Sequence, residues 1–278
     1  MKLPAVYLYK KTSDKGRELR YSLRSLENIK NWNGEVFVVG DREPWMNNLT
    51  VIAADKYPHR FSDVRAKYLA ITRSPLIPND FILMNDDFFV TERAEVKPLH
   101  QGELSGGTSS WQQCKERTKV YLQSQGIAKP LDYDIHVPMI MNKDKLAEAL
   151  KANEGATEHT YLANRSIYGN LHKIGGKEYV DGKTKSNAIL NREFISTSLY
   201  NDKLNDLFPT CSRFEIKGET MQNVTPTKHE DGKETVTLWG KTVDVTKVKK
   251  FTLFKREFKV VRPKKAKKAD AEKTDSDE

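Results

Sequence analysis

The chain has 278 residues, of which 37% are hydrophobic and 31% are charged, and its formal net charge is +9. This length supports one large domain or a domain with a small appendage, and the composition is that of a globular protein with a sizeable core. No apolar stretch approaches the ~20 residues that a membrane-spanning helix needs, so we expect no transmembrane segment.

The first 90 residues alternate between strand and helix patterns. Apolar residues at a spacing of three or four predict helices at 17–29 and 62–72. Near-continuous apolar runs predict strands at 5–9, 36–39, 49–53 and 81–84. Strands that are apolar on both faces are typical of a parallel sheet covered by helices, so the predicted class is α/β and Rossmann-like. In such sheets ligands bind beyond the carboxyl ends of the strands.

The remainder of the chain is less regular. Residues 91–131 predict a polar loop or lid with a helix at 112–123, and 164–170 read as a polar loop. A strand is predicted at 135–141, a helix at 143–152, and a return to the sheet at 188–197. These elements complete a first domain at 1–218. Short alternating strands predict a small basic β appendage at 219–262, and the charged tail 263–278 is predicted to be disordered.

The cysteine content indicates the cellular compartment, and the net charge indicates the class of binding partner. Cys114 and Cys211 have no CxxC spacing, which argues against a disulfide scaffold and a zinc site and predicts a reducing, cytoplasmic location. The apolar run at 5–9 is too short for a signal peptide. The basic balance favours a polyanionic partner, either nucleic acid or an anionic glycan, with a role in solubility alone as the alternative.

The tripeptide Asn85-Asp86-Asp87 follows the predicted strand 81–84 and precedes the apolar residues 88–90. Two unpaired carboxylates in apolar surroundings cost several kcal/mol, and a divalent cation would offset that cost. Mn²⁺ and Mg²⁺ prefer hard oxygen ligands and commonly bridge carboxylates to substrate phosphates. The tripeptide therefore predicts a metal and diphosphate site. A helix N-cap or a turn is the alternative.

Other candidate residues are cationic or titratable. Arg20 and Arg24 share one face of the helix at 17–29 and could hold phosphate oxygens, or form a solvated face. Asp134 and His136 are two residues apart and would fall on one face of a strand that includes 134–138. There His136 could bind metal, contact phosphate or carry a proton, or be a hydrogen-bonded core residue. Arg165 adds a phosphate-binding candidate.

Several segments together resemble the Stealth family, sugar-phosphate transferases of capsule synthesis and lysosomal tagging. The segments are 18–26, 36–39, 44–46, 77–78, 81–89 and 136–138 with 165–166. The resemblance covers roughly residues 5 to 170. It implies a GT-A-like nucleotide-sugar fold in which Asp86 and Asp87 bind metal, Arg20 and Arg24 serve the active site, and His136 lies in the reaction centre.

Two departures from the family pattern bear on the reaction. Lys11 stands where the family carries an acidic residue, and Gly16 stands where an Asn is expected. These changes affect phosphotransfer more than donor binding. Transfer of the sugar without its phosphate, as in related GT-A glycosyltransferases, therefore fits at least as well.

The sequence thus predicts a glycosyltransferase that depends on Mn²⁺ or Mg²⁺ and takes a nucleotide-sugar donor, with a UDP-sugar as the leading candidate. The acceptor is a glycan, a cell-surface polymer or modified DNA. Stealth-like sugar-1-phosphate transfer and non-catalytic nucleic-acid binding are the alternatives. The predicted site is catalytic Asp87, His136 and Arg20, donor-binding Arg20, Arg24, Arg165 and Asn85, and metal-binding Asp86, Asp87 and His136.

Overall fold

The computed structural model describes residues 1–11, 16–183, 192–196, 202–215, 222–224, 226–238, 241–253, 256–260 and 262. The chain divides into two compact units, Met1–Ile216 and Lys217–Glu278, which we call the first and the second unit. Among the described residues, no helix is both long enough and apolar enough to span a bilayer. The predicted division into 1–218, 219–262 and 263–278 stays a prediction. Residues 263–278 lie outside the described residues.

The first unit alternates strands and helices through its N-terminal half. Its strands are β1 Leu3–Tyr9, β2 Trp32–Gly40, β3 Thr50–Ile52, β4 Asp80–Asn85, β5 Phe88–Val90, β6 Leu99–His100, β7 Met139–Asn142, β8 Lys177–Glu178 and β9 Phe194–Ser196. Its helices are α1 Arg17–Ser25, α2 Arg60–Arg73, α3 Ser110–Ser124, α4 Lys143–Leu150, α5 Asn164–Leu171 and α6 Asp202–Leu207.

A five-stranded sheet in the order β3-β2-β1-β4-β7 forms the centre of the first unit. Its first three pairings are parallel, and β7 joins β4 in the antiparallel direction. Leu8 lies opposite both Val39 and Asn85, so β1, β2 and β4 end at the same edge. The predicted class, α/β with a mainly parallel, Rossmann-like sheet flanked by helices, is confirmed.

The sheet separates two hydrophobic cores. All seven residues of β1 are buried, and they alternate between the cores because successive strand side chains point to opposite faces. Tyr7 packs in one core with Leu19 and Leu23 of α1. Leu8 packs in the other with Ile71 of α2. Coverage on both faces explains why the strands read as near-continuous apolar runs.

The predicted strand at 135–141 was wrong over its first half. Only Met139–Asn142 forms a strand, and Asp134 and His136 lie in the loop before it. Pro138 has no backbone N–H to donate to a ladder, which is consistent with the strand beginning after it. The argument that Asp134 and His136 share one face of a strand was therefore also wrong.

Two further elements differ from prediction. The expected polar loop at 164–170 is the buried helix α5, whose polar side chains bond inside the protein rather than to water. Residues 194–196 form β9, which pairs with β5 instead of returning to the central sheet. Of the remaining predicted strand, 188–191 and 197 lie outside the described residues. The helix predicted at 112–123 is confirmed as α3, which opens with a capping box between Ser109 and Gln112.

The second unit is built from short strands, as the alternating pattern predicted. They are β10 Gln222–Val224, β11 Thr227–Lys228, β12 Glu234–Leu238, β13 Lys241–Asp244, β14 Lys250–Leu253 and β15 Arg256–Val260. They form two three-stranded sheets, in the orders β11-β12-β13 and β10-β15-β14. Val236, Val245 and Val260 form a small core.

Candidate functional site

A cleft of about 700 Å³, here called the main cleft, opens where β1 and β4 end. Leu8 and Lys10 line it from the end of β1, and Asn85, Asp86 and Asp87 line it from the end of β4. This is the edge at which parallel sheets of this class bind ligands. Its volume falls within the range of sites for small molecules and cofactors.

The turn between β4 and β5 presents the two aspartates. Ser22 of α1 holds this turn by donating to the backbone oxygens of Phe88 and Asn85, and its hydroxyl also bonds the Tyr7 hydroxyl at 3.0 Å. Asp86 and Asp87 are partly exposed and face the main cleft. Asp87 Oδ2 accepts a hydrogen bond from Ser196 Oγ at 2.9 Å. A serine in β9 therefore orients one carboxylate of the pair.

The carboxylates suit a divalent cation that shares its coordination with a substrate. Among the described residues, no group of three or more His, Cys, Asp or Glu side chains is arranged to hold a metal ion. The predicted set of Asp86, Asp87 and His136 lines one cleft without being assembled into a ligand group. Mg²⁺ usually takes only one or two carboxylates and completes its shell with water and phosphate oxygens. The two aspartates with the Asn85 amide fit that requirement.

His136 is held by an aspartate that the sequence did not single out. Its Nδ1 lies 2.8 Å from Asp181 Oδ2, and its backbone N–H donates to Asp181 Oδ1 at 3.0 Å. On the other side of the ring, Lys183 Nζ lies 3.2 Å from Nε2. Burial alone would raise the pKa of Asp181, but the hydrogen bonds from His136 outweigh it and lower the pKa below its usual value. Asp181 therefore stays ionised and fixes the ring.

Among the described residues, charged side chains of both signs line the main cleft in equal number. The cations are Lys10, Arg60, Lys67, Arg165 and Lys183, and the anions are Glu18, Asp63, Asp86, Asp87 and Asp134. Lys67 and Asp63 are both buried and pair with each other one turn apart on α2. Arg60 is exposed and makes no hydrogen bond or ion pair with the described residues. Arg60, Lys10 and Lys183 are therefore the cations best placed to meet a ligand.

Two predicted phosphate ligands have other partners. Arg24 binds the buried Glu215 carboxylate through two nitrogens at 2.7 and 2.9 Å. Arg20 lies 3.6 Å from the same carboxylate and stacks on the Trp45 ring. Neither belongs to the described lining of the main cleft. The face of α1 predicted to bind phosphate is instead tied to the segment around Glu215, because a buried carboxylate needs cationic partners.

Arg165 lies at the floor of the main cleft. Its two terminal nitrogens donate to the backbone oxygens of Ile135 and Val137, each at 2.7 Å. Burial lowers its pKa, and nearby acidic groups oppose that effect. The geometry makes Arg165 a support for the loop that carries His136, and direct contact with phosphate stays a prediction.

Asp134 is a further carboxylate in the cleft floor. Its Oδ2 accepts from the backbone N–H of Ser166 at 2.9 Å and also from the Ser166 hydroxyl. Burial raises the pKa of Asp134, and the neighbouring Asp132 carboxylate raises it further. Asp132 in turn pairs with the buried ammonium of Lys115.

Sequence reasoning missed Asp181, Lys183, Asp63 and Lys67. Asp63 and Lys67 did carry a signal, since opposite charges four residues apart on a helix can pair. Asp181 and Lys183 lie in an irregular polar stretch whose spacing relates to no other element. Only the fold brings them to His136.

Comparisons with known proteins add a fold-level likeness. No family model matches the sequence. No curated protein matches it either. Solved structures with a similar backbone include the galactosyltransferase LgtC in complex with donor and acceptor sugar analogs, at 11% identity and a TM-score of 0.43, covering 78% of this chain and 98% of that one.

Two other similar structures are also described as glycosyltransferases. GlyE of Streptococcus pneumoniae TIGR4 is 11% identical with a TM-score of 0.34, and the match covers 62% of this chain and 44% of GlyE, less than half its length. The PaToxG glycosyltransferase is 9% identical with a TM-score of 0.32, over 62% of this chain and 69% of that one.

Proposed function

We propose that this protein is a metal-dependent glycosyltransferase that moves a sugar from a nucleoside-diphosphate donor to an acceptor. One observation carries the proposal. Asp86 and Asp87 follow the carboxyl end of β4 and line a cleft of about 700 Å³ that cationic side chains also line. Paired carboxylates and cations within one cleft are the chemistry that a metal-bound diphosphate needs.

Separate residues of the main cleft would bind the metal and the phosphates. Asp86 and Asp87 would hold Mn²⁺ or Mg²⁺, which when bound neutralises the charge that develops on a leaving nucleoside diphosphate. Lys10 and Arg60 would hold phosphate oxygens, because the charge that develops on the leaving diphosphate is stabilised by cations within the cleft. A UDP-sugar is the leading donor candidate.

His136 would act on the acceptor side of the reaction. Asp181 accepts the Nδ1 proton, which leaves Nε2 with a lone pair beside Lys183. Such a nitrogen can accept a hydrogen bond from an acceptor hydroxyl and orient it, or complete the shell of a metal. Lys183 would then turn toward the phosphates.

Sugar-1-phosphate transfer is the second candidate. Residues that carry the Stealth resemblance converge in the main cleft, namely Glu18, Asp86, Asp87, His136 and Arg165. The donor and the metal would be the same in both reactions. The product distinguishes them, because sugar-1-phosphate transfer yields a phosphodiester and releases a nucleoside monophosphate, whereas glycosyl transfer yields a glycoside and releases the diphosphate.

The test is nucleotide release from UDP-, GDP- and CDP-sugars with Mn²⁺ or Mg²⁺, comparing wild type with Asp87→Asn and with Asp144→Asn, an exposed acid on α4. We expect metal-dependent release by wild type and by Asp144→Asn. Loss of a metal ligand removes several kcal/mol of stabilisation, so Asp87→Asn should be slower by on the order of a thousandfold while its melting temperature is kept. Wild-type rates in Asp87→Asn, or no release from the whole panel by folded protein, would contradict the proposal.

A further inference from the structure

A second cavity of about 500 Å³ lies against α2 and is here called the α2 pocket. Its walls are the segment after β3, one face of α2, and the loop around Thr157. Phe61 and Tyr161 line both this pocket and the main cleft, so the two spaces share a wall. The His59 ring meets the Glu158 carboxylate at 2.9 Å, which ties the loop to the start of α2.

Two arginines that have no hydrogen-bond or ion-pair partner among the described residues line the α2 pocket. Arg65 and Arg73 make no hydrogen bond or ion pair with any described residue, and Arg65 Nε is buried without a partner. A buried donor without a partner is costly, and a bound acceptor atom would remove that cost. A guanidinium recognises carboxylate, sulfate or phosphate with a rigid donor fork. The described lining carries these two guanidinium groups against one exposed carboxylate, Asp55, so an anion is the ligand that the pocket favours.

The spacing of these arginines favours an extended ligand. Phe61, Arg65, Leu69 and Arg73 follow one another at four-residue intervals along one face of α2, and all line the pocket. Eight residues of helix separate the two guanidinium-bearing positions, which is a rise of about 12 Å. A linear molecule with more than one acidic group can meet each guanidinium where it lies, whereas a single small anion would have to draw the two side chains together.

We propose that the α2 pocket binds the acceptor and that the acceptor is a linear anionic saccharide. This inference rests on the proposed function, since it assigns the ligand of this pocket as the substrate that meets the donor. A chain seated along Arg73 and Arg65 would pass the wall formed by Phe61 and Tyr161 and reach the main cleft.

Saccharide fits the pocket better than nucleic acid does. Sites for single-stranded nucleic acid supply aromatic faces on which bases stack. Here the Phe61 ring is already stacked on Tyr161, with centroids 4.5 Å apart and planes 19° apart. Among the described lining residues this leaves the exposed Tyr57 as a single aromatic face, and one face is no platform for successive bases. Ser62 and Thr157 offer hydroxyl groups beside small alanine side chains, which suits a narrow ligand rich in hydroxyls.

The experiment measures saccharide binding by calorimetry at low salt. The probes are tetragalacturonate, a sulfated tetrasaccharide from heparin, the fully methyl-esterified tetragalacturonate as the neutral match, and the oligonucleotide dT8. The variants are Arg65→Gln and Arg73→Gln. Arg93→Gln is the control, because Arg93 is exposed and lies outside the described lining of both cavities.

We expect an anionic tetrasaccharide to bind wild type and Arg93→Gln equally. Each pocket variant should weaken binding about tenfold, the size of one charge-assisted hydrogen bond, and the neutral ester should not bind. Failure of both anionic saccharides to bind, equal binding by the neutral ester, or unchanged binding in both pocket variants would overturn the inference. Tighter binding of dT8 that needs the same arginines would also overturn it, in favour of a nucleic-acid acceptor.

A parallel titration with UDP and Mn²⁺ separates this inference from the proposed function. Saccharide binding without UDP binding would contradict the donor assignment and keep the anion site. UDP binding without saccharide binding would contradict the acceptor assignment and keep the donor site. Arg73 is exposed, so Arg73→Gln gives a readout even if Arg65→Gln lowers stability.

Discussion

Replacing Asp181 with asparagine tests whether the orientation of His136 matters for turnover. Asp181 Oδ1 accepts from the His136 backbone N–H at 3.0 Å, and Oδ2 lies 2.8 Å from Nδ1. An ionised carboxylate only accepts, so Nδ1 must carry the proton and Nε2 the lone pair. The ammonium of Lys183, 3.2 Å from Nε2, favours the same tautomer because it can only donate.

In Asp181→Asn only one side-chain oxygen remains. If that oxygen keeps the hydrogen bond from the His136 backbone N–H, the asparagine NH₂ group must face His136 Nδ1. Two donors would then face each other unless the ring proton moves to Nε2, where it would meet the Lys183 ammonium. Either outcome costs one charge-assisted hydrogen bond, about 1.5–3 kcal/mol, which corresponds to roughly 10–100-fold. Partners that orient a functional histidine typically contribute the same factor. Asp181 is a quarter exposed, so the fold should be little affected.

The assay is kcat/KM for nucleotide release, together with the ¹⁵N shifts of the His136 ring, which report the tautomer. We expect a loss of roughly 10–100-fold and a changed tautomer in Asp181→Asn. Asp206→Asn, at an exposed aspartate of α6, is the matched control and should behave as wild type. An Asp181→Asn protein within twofold of wild type, with its His136 tautomer unchanged, would refute the reasoning.

Two further predictions concern stability. Glu215→Gln leaves the buried Arg24 without its anion and should cost about 3–5 kcal/mol in urea unfolding. Burial would raise the pKa of Glu215, but its bonds from Arg24 outweigh burial and lower the pKa below the usual 4.5. Wild type should therefore lose the stability that the Arg24–Glu215 pair contributes as the pH falls below 4.5 and through the folded-state pKa. Glu215→Gln should show no such loss. Gly40→Ala would put a Cβ into the Tyr9 carbonyl at a positive φ of 126° and should cost more than Gly126→Ala, where φ is 83° and no atom lies within 4 Å. Equal losses in the two glycine variants would show that the overlap with Tyr9 is relieved at no cost.

The sheet was predictable because its signals are local. The apolar runs at 5–9, 36–39 and 81–84 each became a strand of the central sheet, and the rule for ligand sites at strand ends then located Asp86 and Asp87 at an open edge. Burial on both faces leaves such runs few alternatives.

The parts that were missed depend on contacts between distant residues. Helix α5 reads as a polar loop, yet Asn170 bonds the backbone of Leu131 and Ser166 bonds that of Tyr133, so these two polar side chains find partners inside the core. Arg24 meets Glu215, 191 residues further along the chain. No periodicity encodes such pairings, and the sequence alone therefore assigned Arg24 to phosphate.

The charge of the main cleft links these observations to the order of binding. In the part of the chain that the structure describes, its lining carries five cationic and five anionic side chains, so the formal charges of these residues cancel before any ligand enters. A nucleoside diphosphate would therefore find little net attraction there, because the Asp86 and Asp87 carboxylates would oppose the pull of Lys10, Arg60 and Lys183. A divalent cation at the aspartates reverses that balance next to the phosphates. Under the proposed function, the metal must then bind before the donor or together with it.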